Sequence, residues 1–319
     1  MLTHGFMKDR GINMSNLSGD IQEIVETLIA RMEAGDLPWH KPWANLGGVL
    51  PVNATTNREY TGVFNPLILM MSSASFGGDN RWSGFGQWGK SANPVRKGEH
   101  GVSIYFPNFS CNVCGCEAPP WFKSCKNKHD LTVAGARGVR GFQSCTVFNN
   151  QQTVKPLPTV EVAQVDPSVG YAQAAAVVKG CGAKVSHGGN RAFYDKREDS
   201  ITLPHPGSFK DPALYWATAL HEHMHWTGDK DRLNREGVAV LGGHFGSNVY
   251  AFEELVAEMG AAFLCMKLGV KHDTLMDNHA AYLQSWVKGL KDDPKALMKA
   301  ASLASKGMNF ILKADDASE

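Results

Sequence analysis

Ala213-Leu-Tyr-Trp-Ala-Thr-Ala-Leu-His-Glu-His-Met-His-Trp226 contains neither Gly nor Pro, and its apolar content predicts one continuous helix. Inside it, His221-Glu222-His223-Met224-His225 reads H-E-x-x-H. Residues four apart share a helix face, so His221 and His225 can point at one ion. His223 lies about 200° around the helix from His221, at about 100° per residue, and is excluded as a ligand. Neutral imidazole is a good Zn²⁺ ligand, and Glu222 is placed to take a proton from a water at that ion.

A catalytic zinc site needs a third protein ligand and an open position. The segment Tyr250-Ala-Phe-Glu-Glu-Leu-Val-Ala-Glu predicts a second helix, continuing to Leu268, with three acidic candidates. Glu254 and Glu258 are four apart, on a face that also carries Ala251, Leu255, Ala261 and Ala262. Carboxylates on so small and apolar a face are costly unless they have partners. Glu254 is therefore assigned as the ligand and Glu258 as an acceptor that orients a His N–H. Glu253 falls about 100° off that face. Two other readings stay open, an exposed acidic helix face and a third ligand at His244 after Gly242-Gly243. For oxyanion stabilisation Tyr250, Tyr194 and His187 are unranked candidates.

With 319 residues, 43% hydrophobic and 20% charged, the chain is long enough for two globular domains. No apolar stretch approaches membrane-spanning length, which argues against a membrane partner. Met1 to Arg10 lack the basic-then-apolar order of a secretory signal, and Met7 and Met14 suggest a dispensable leader. Seven cysteines without such a signal imply a reducing compartment, the cytoplasm. The three prolines of Gln151 to Pro167, with no amphipathic period, mark a linker at 151–167. The expected organisation is α+β, with one domain over 15–150 and another over 168–319. In the first, a helix over 20–34 precedes strands at 101–107 and 144–149; in the second, short strands precede the H-E-x-x-H helix. A strand beside the metal can pair with an extended substrate backbone.

Between residues 81 and 140 there are nine Lys+Arg against three Asp+Glu, with aromatic residues interleaved. Rings among cations are what single-stranded nucleic acid requires, since bases stack while cations track the backbone. The candidates are Trp39, Lys41, Trp43, Asn53, Arg58, Tyr60, Trp82, Trp88, Lys90, Arg96 and Lys97. Tryptophans in Gly/Pro-rich loops also commonly cap a small core, and that reading stays open. No segment resembles a helix for reading a major groove.

The run Met32-Glu-Ala-Gly-Asp-Leu-Pro-Trp-His-Lys-Pro-Trp43, then Pro51-Val-Asn-Ala-Thr-Thr-Asn-Arg-Glu-Tyr-Thr-Gly62, then Val95-Arg-Lys-Gly-Glu-His-Gly101, resembles the ArdC-type antirestriction N-terminal domain. Ala192-Phe-Tyr-Asp195, Asp199-Ser-Ile-Thr-Leu-Pro204, His221 to Gly228, Arg232-Leu-Asn-Arg235 and Tyr250 to Glu258 resemble its zincin-like companion domain. The resemblance implies a mobile-element protein that binds single-stranded DNA, carries a zinc metallopeptidase and protects incoming DNA from host restriction during conjugation. A restriction enzyme or another DNA-bound protein is then the expected target. Catalytic Glu222 and the ligands His221, His225 and Glu254 carry over; the DNA surface carries over only as a region. The rival readings are a single-strand binding protein whose zinc only helps it fold, and a plasmid replication or maintenance factor.

The Cys-rich insertion at 110–140 departs from that pattern. Cys111-Asn-Val-Cys114-Gly-Cys116 and Cys125-Lys-Asn-Lys-His129 have knuckle-like spacing. Two readings stand: a second, structural zinc on Cys111, Cys114, Cys125 and either His129 or Cys116, or an exposed loop of reactive thiols. Cys145, Cys181 and Cys265 lie in apolar segments and are read as packed thiols.

Overall fold

The computed structural model describes residues 19–35, 37, 50–118, 122–133, 135–158, 166–240, 248–270 and 279–312. Helix α1 (Gly19–Glu33) buries Val25, Leu28, Ile29 and Met32, spaced three and four apart, and stops before Gly35 in the left-handed region. Strand β1 (Val52–Asn53), helix α2 (Phe64–Ser73), β2 (Arg81–Gly84) and α3 (Phe85–Lys90) follow. Then come the long strands β3 (Val102–Cys111) and β4 (Arg137–Asn149), which form a hairpin. The sheet order is β1-β2-β4-β3, with β1 parallel to β2 and the other pairs antiparallel.

Helix α4 (Pro167–Cys181) opens the second half, capped by Asp166 accepting from the Ser168 N–H. Strands β5 (Lys184–His187), β6 (Phe193–Asp195) and β7 (Ser200–Leu203) form a sheet in the order β5-β7-β6, so β6 is an edge. Helix α5 (Pro212–Thr227) carries the H-E-x-x-H motif; Asp211 caps it by accepting from the Ala213 N–H at 2.8 Å, with Pro212 at the first helical position. Helices α6 (Asn248–Leu268), α7 (His279–Asp292) and α8 (Lys295–Leu312) complete the chain.

The two domains share a core. Leu28 of α1 and Leu67 and Ile68 of α2 are buried in one cluster with Val256 and Phe263 of α6, Trp286 of α7 and Met298 of α8. Ser305 of α8 accepts from the Val63 N–H at 2.8 Å, and Lys267 pairs with Glu59 at 2.6 Å. Behind the motif, Met224 of α5 fills the space left by two glycines. A Cβ on Gly260 of α6 or Gly307 of α8 would come within 2.2 Å or 2.5 Å of its terminal methyl. These close approaches seat α5 firmly against α6, which carries the acidic residues.

Two expectations need correction. Trp82 and Trp88 present no ring to nucleic acid, being 0% and 1% exposed. Trp82 meets Phe76 edge-on, and Trp88 donates to the Phe148 carbonyl at 3.0 Å, so both fill the core beneath the sheet. The expected linker is also not free chain through 151–158. Asn93 accepts from the Lys155 N–H, Asn150 accepts from the Leu157 N–H, and Arg81 donates to the carbonyls of Leu157 and Pro158. With them goes one isolated antiparallel bridge, Val95 with Thr153, in which the Val154 N–H donates to the Pro94 carbonyl and the Arg96 N–H to the Gln152 carbonyl. Residues 159–165 lie outside the described residues, and α4 already begins at Pro167.

Candidate functional site

Helix α5 presents His221 and His225 toward α6, with their Nε2 atoms 3.1 Å apart. Glu254 of α6 closes the triangle, one carboxylate oxygen 3.5 Å from His221 Nε2 and the other 3.6 Å from His225 Nε2. Donors around one tetrahedral ion at Zn–N of about 2.0–2.1 Å would lie about 3.4 Å from one another. The chemistry fits as well as the spacing, since two imidazoles and a carboxylate are a zinc or manganese donor set. His223 points away from this triangle; its Nδ1 lies 2.7 Å from the Ala219 carbonyl in the turn before it.

Each imidazole has an acidic residue on its far side. Glu258 lies 3.4 Å from His221 Nδ1, at ion-pair range but off the line of a good N–H···O bond. Glu253 lies 3.2 Å from His225 Nδ1. Glu253 is placed to accept the Nδ1 proton of His225, which leaves the Nε2 lone pair of that ring facing the triangle, and the Glu258 charge beside His221 Nδ1 favours the same tautomer there. Sequence reasoning missed Glu253. Its partner is Arg235, which donates to it at 2.6 Å and also to Thr227 Oγ1 at 2.7 Å and to the Met224 carbonyl at 2.5 Å. A second arginine, Arg232, donates to the Trp226 carbonyl at 2.6 Å and pairs with Asp199 at 2.5 Å. The two cations add donors to carbonyls in the last turn of α5, on the residues either side of His225.

The local charges act on one another. Burial lowers the proton affinity of His221, but Glu254 and Glu258 outweigh it and hold the imidazole well above its ordinary value. Burial likewise opposes a proton on His225, and Glu254 and Glu253 raise it to about 9. Glu254 is held far below the usual carboxylate range; burial would raise it, and the two histidines win. Burial pushes Glu222 up, against the pull of His221 and His225, and the Tyr194 backbone N–H bonds to its carboxylate. A proton taken up at either Nε2 would occupy the position a metal needs, beside the Glu254 carboxylate. Metal and proton must compete, so affinity is expected to fall as pH drops below about 9, roughly tenfold per unit for each proton displaced. The metal-free fold shows the opposite trend. Stability from these raised imidazoles is complete below about pH 6.5 and is lost as pH rises through about 9. Chelator-competition titrations and thermal melts across that window check both signs.

Of the proposed oxyanion groups, Tyr194 is already engaged. Its hydroxyl lies 2.9 Å from Asp199 and 3.2 Å from Asp229, and Arg232 donates to it. His187 Nε2 lies 3.0 Å from the Tyr215 hydroxyl. Tyr250 is buried at the start of α6, and His244 lies outside the described residues.

The N-terminal candidates divide. Asn53, Tyr60 and Lys90 line one cleft of about 540 Å³ over the sheet, with Gln87, Phe85 and Phe106. Phe85 and Phe106 are 64% and 40% exposed, and sequence reasoning missed both. Arg58 and Lys97 are exposed but do not line the cleft, and Arg96 is held by Glu99 at 2.5 Å and by the Thr153 carbonyl. Trp39, Lys41 and Trp43 lie outside the described residues. Cys111, Cys114, Cys125 and His129 come together at the far end of the β3–β4 hairpin.

Residues 20–148 match the family described as the N-terminal domain of the anti-restriction factor ArdC, and residues 172–303 match the zincin-like metallopeptidases. The metal-free crystal structure of the antirestriction ArdC protein from plasmid R388 superposes with a TM-score of 0.67 at 29% identity. That match covers 92% of this chain and 96% of the other. The chain belongs to the ArdC-type antirestriction family. The Mn(II)-bound form of the R388 protein matches equally, at a TM-score of 0.67 over 93% and 98% of the two chains. Protein y4eC of Sinorhizobium fredii is 31% identical over 90% of both chains. Two Escherichia coli proteins named DNA primase TraC are 36% and 37% identical over 91% of this ArdC-type chain, which spans 19% and 27% of their lengths. Within this ArdC-type architecture the zincin-like domain supplies a candidate divalent-metal site. No helix among the described residues is long and apolar enough to cross a membrane.

Proposed function

We propose that the chain protects incoming plasmid DNA from host restriction during conjugation, by binding it as a single strand and carrying a metallopeptidase to it. The observation that carries the peptidase half is the triangle of His221, His225 and Glu254 beside a buried Glu222. Those three residues would hold a divalent ion, zinc by donor chemistry, with manganese as the alternative that the R388 structure raises. When bound, such an ion polarises a carbonyl and acidifies water. Glu222 takes the proton and returns it to the leaving amine. The Tyr194 backbone N–H favours the ionised Glu222 carboxylate, and Tyr194 belongs to edge strand β6. An extended peptide added to that edge would run beside the base.

The DNA half rests on the cleft over the N-terminal sheet. Exposed Phe85 and Phe106 offer rings and Lys90 offers charge, while Asn53, donating to Gln87 Oε1 at 3.0 Å, braces the wall between them. Phe85→Ala and Phe106→Ala are each expected to weaken single-stranded DNA binding by about 1–3 kcal/mol, the range for one base–ring contact. Lys90→Ala should flatten the salt dependence by about 0.7 log units per log unit of salt. Fluorescence anisotropy with an oligonucleotide reads both, and unchanged affinity in the Phe85/Phe106 double variant removes this cleft from the reading. In cells, transfer of an unmodified plasmid into restricting and non-restricting recipients tests the whole proposal. Protection should appear only in the restricting host and should fall with the cleft variants.

A further inference from the structure

We propose that the end of the β3–β4 hairpin is a closed tetrahedral zinc site, formed by Cys111 Sγ, Cys114 Sγ, Cys125 Sγ and His129 Nδ1. It lies in a different domain from the His221 centre and goes beyond the function proposed above. One ligand atom from each of the four residues lies within 4.8 Å of the others. The separations are close to those a single ion imposes. With Zn–S of about 2.3 Å and Zn–N of about 2.0–2.1 Å, tetrahedral edges are about 3.8 Å for S···S and about 3.6 Å for S···N. Cys114 and Cys125 sulfurs are 3.7 Å apart, and His129 Nδ1 lies 3.6 Å from Cys111 Sγ and 3.3 Å from Cys125 Sγ.

The backbone is built around those sulfurs as two matching turns. In the first, the Gly115 N–H bonds to the Cys111 carbonyl and the Cys111 N–H to the Cys116 carbonyl, with Gly115 at φ 71°. In the second, the Lys128 N–H bonds to the Cys125 carbonyl and the Cys125 N–H to the His129 carbonyl, with Lys128 at φ 62°. A lysine in the left-handed region is uncommon and needs its surroundings to hold it there. Each turn is closed by one isolated bridge, Ser110 with Glu117 and Ser124 with Asp130.

Cys116 is not the fourth donor. Its sulfur is 3.1 Å from that of Cys114, well short of a tetrahedral edge, whereas His129 sits at the required range from two sulfurs. Three thiolates and one imidazole select zinc over harder cations, and four protein donors leave no open position, so the site is structural. Among the described residues the local apolar core is Cys111, Ala118, Cys125 and Leu131, with Cys114, Cys116 and Ala136 packed against it and Arg137 tying in the carbonyls of Ala118, Phe122 and Leu131. So small a core does not order a loop by itself, and metal binding supplies the missing folding energy as the thiols release their protons to solvent.

Metal analysis by mass spectrometry on the full chain, purified from zinc-supplemented cells, tests this directly. Two zinc ions per wild-type chain are expected, one in Cys114→Ser, one in His225→Ala, and two in Cys116→Ser. Thiol alkylation of the wild type, mapped by peptide mass, needs no variant to fold. Cys111, Cys114 and Cys125 should resist a maleimide that modifies exposed Cys145, and a strong chelator should open all three. A single zinc that His225→Ala abolishes and Cys114→Ser leaves in place overturns the site. So does labelling of the three cysteines as fast as Cys145 with no response to chelator. Zinc held at the hairpin with neither zinc nor manganese at the His225 centre would sink the peptidase reading and leave this one standing.

Discussion

Glu222→Gln is expected to slow peptide-bond cleavage by about 10²–10⁴-fold, the range for a positioned general base, while metal content and thermal stability stay at wild-type levels. The amide is isosteric and its oxygen can still accept from the Tyr194 N–H, so the shape of the site is kept. What disappears is the lone pair that takes the proton. Stability should not suffer, because burial already works against an ionised Glu222 and Gln removes that charge. The variant therefore separates the two jobs assigned to the chain. Mass-spectrometric mapping of cleavage in a mixture of host proteins reads the chemistry, and plasmid entry into a restricting recipient reads protection. Loss of both ties protection to proteolysis. Wild-type protection with no cleavage by either form means that binding alone protects DNA and the metal serves the fold.

The legible part of this site is the part governed by local periodicity. The four-residue spacing of His221 and His225 places both rings on one face of α5 in any helix, and the Glu254–Glu258 spacing works the same way on α6. Glu253 escaped because its exclusion assumed a helix with a solvent side. Helix α6 is buried on nearly every face from Ala251 to Met266, so a side chain about 100° from Glu254 still reaches an interior partner. That partner, Arg235, comes from a turn whose path no periodicity describes. The nucleic-acid face failed for a different reason. Tryptophan supplies stacking surface and core volume equally well, and Trp82 and Trp88 went to the core while two phenylalanines took the exposed positions. The Pro-rich strip at 151–158 is held by two amide side chains, Asn93 and Asn150, and by one isolated bridge to Val95, none of which leaves a periodic signal. Nor does composition reveal that α1 and α2 bury their apolar faces against helices of the other domain.

Arg235→Met should destabilise the fold by about 3–5 kcal/mol, more than loss of any surface ion pair in the molecule. Both members of the pair with Glu253 are 2% exposed at the side chain, so water cannot replace the lost partner. The methionine leaves the Glu253 carboxylate with only the His225 imidazole, and it strips donors from Thr227 and from the Met224 carbonyl. Those losses fall within one turn of His225, on the segment that aims its Nε2. Metal affinity should accordingly fall by about 10–100-fold, the range for losing a residue that orients a ligand. Removing both charges in Arg235→Met/Glu253→Met should cost less than the sum of the two single changes, because neither residue is then left buried alone. Urea denaturation of the metal-free proteins reads the stability cycle, and chelator competition reads the affinity. Additive single and double variants would mean that the pair does not act as a unit, leaving Glu253 to work on His225 alone.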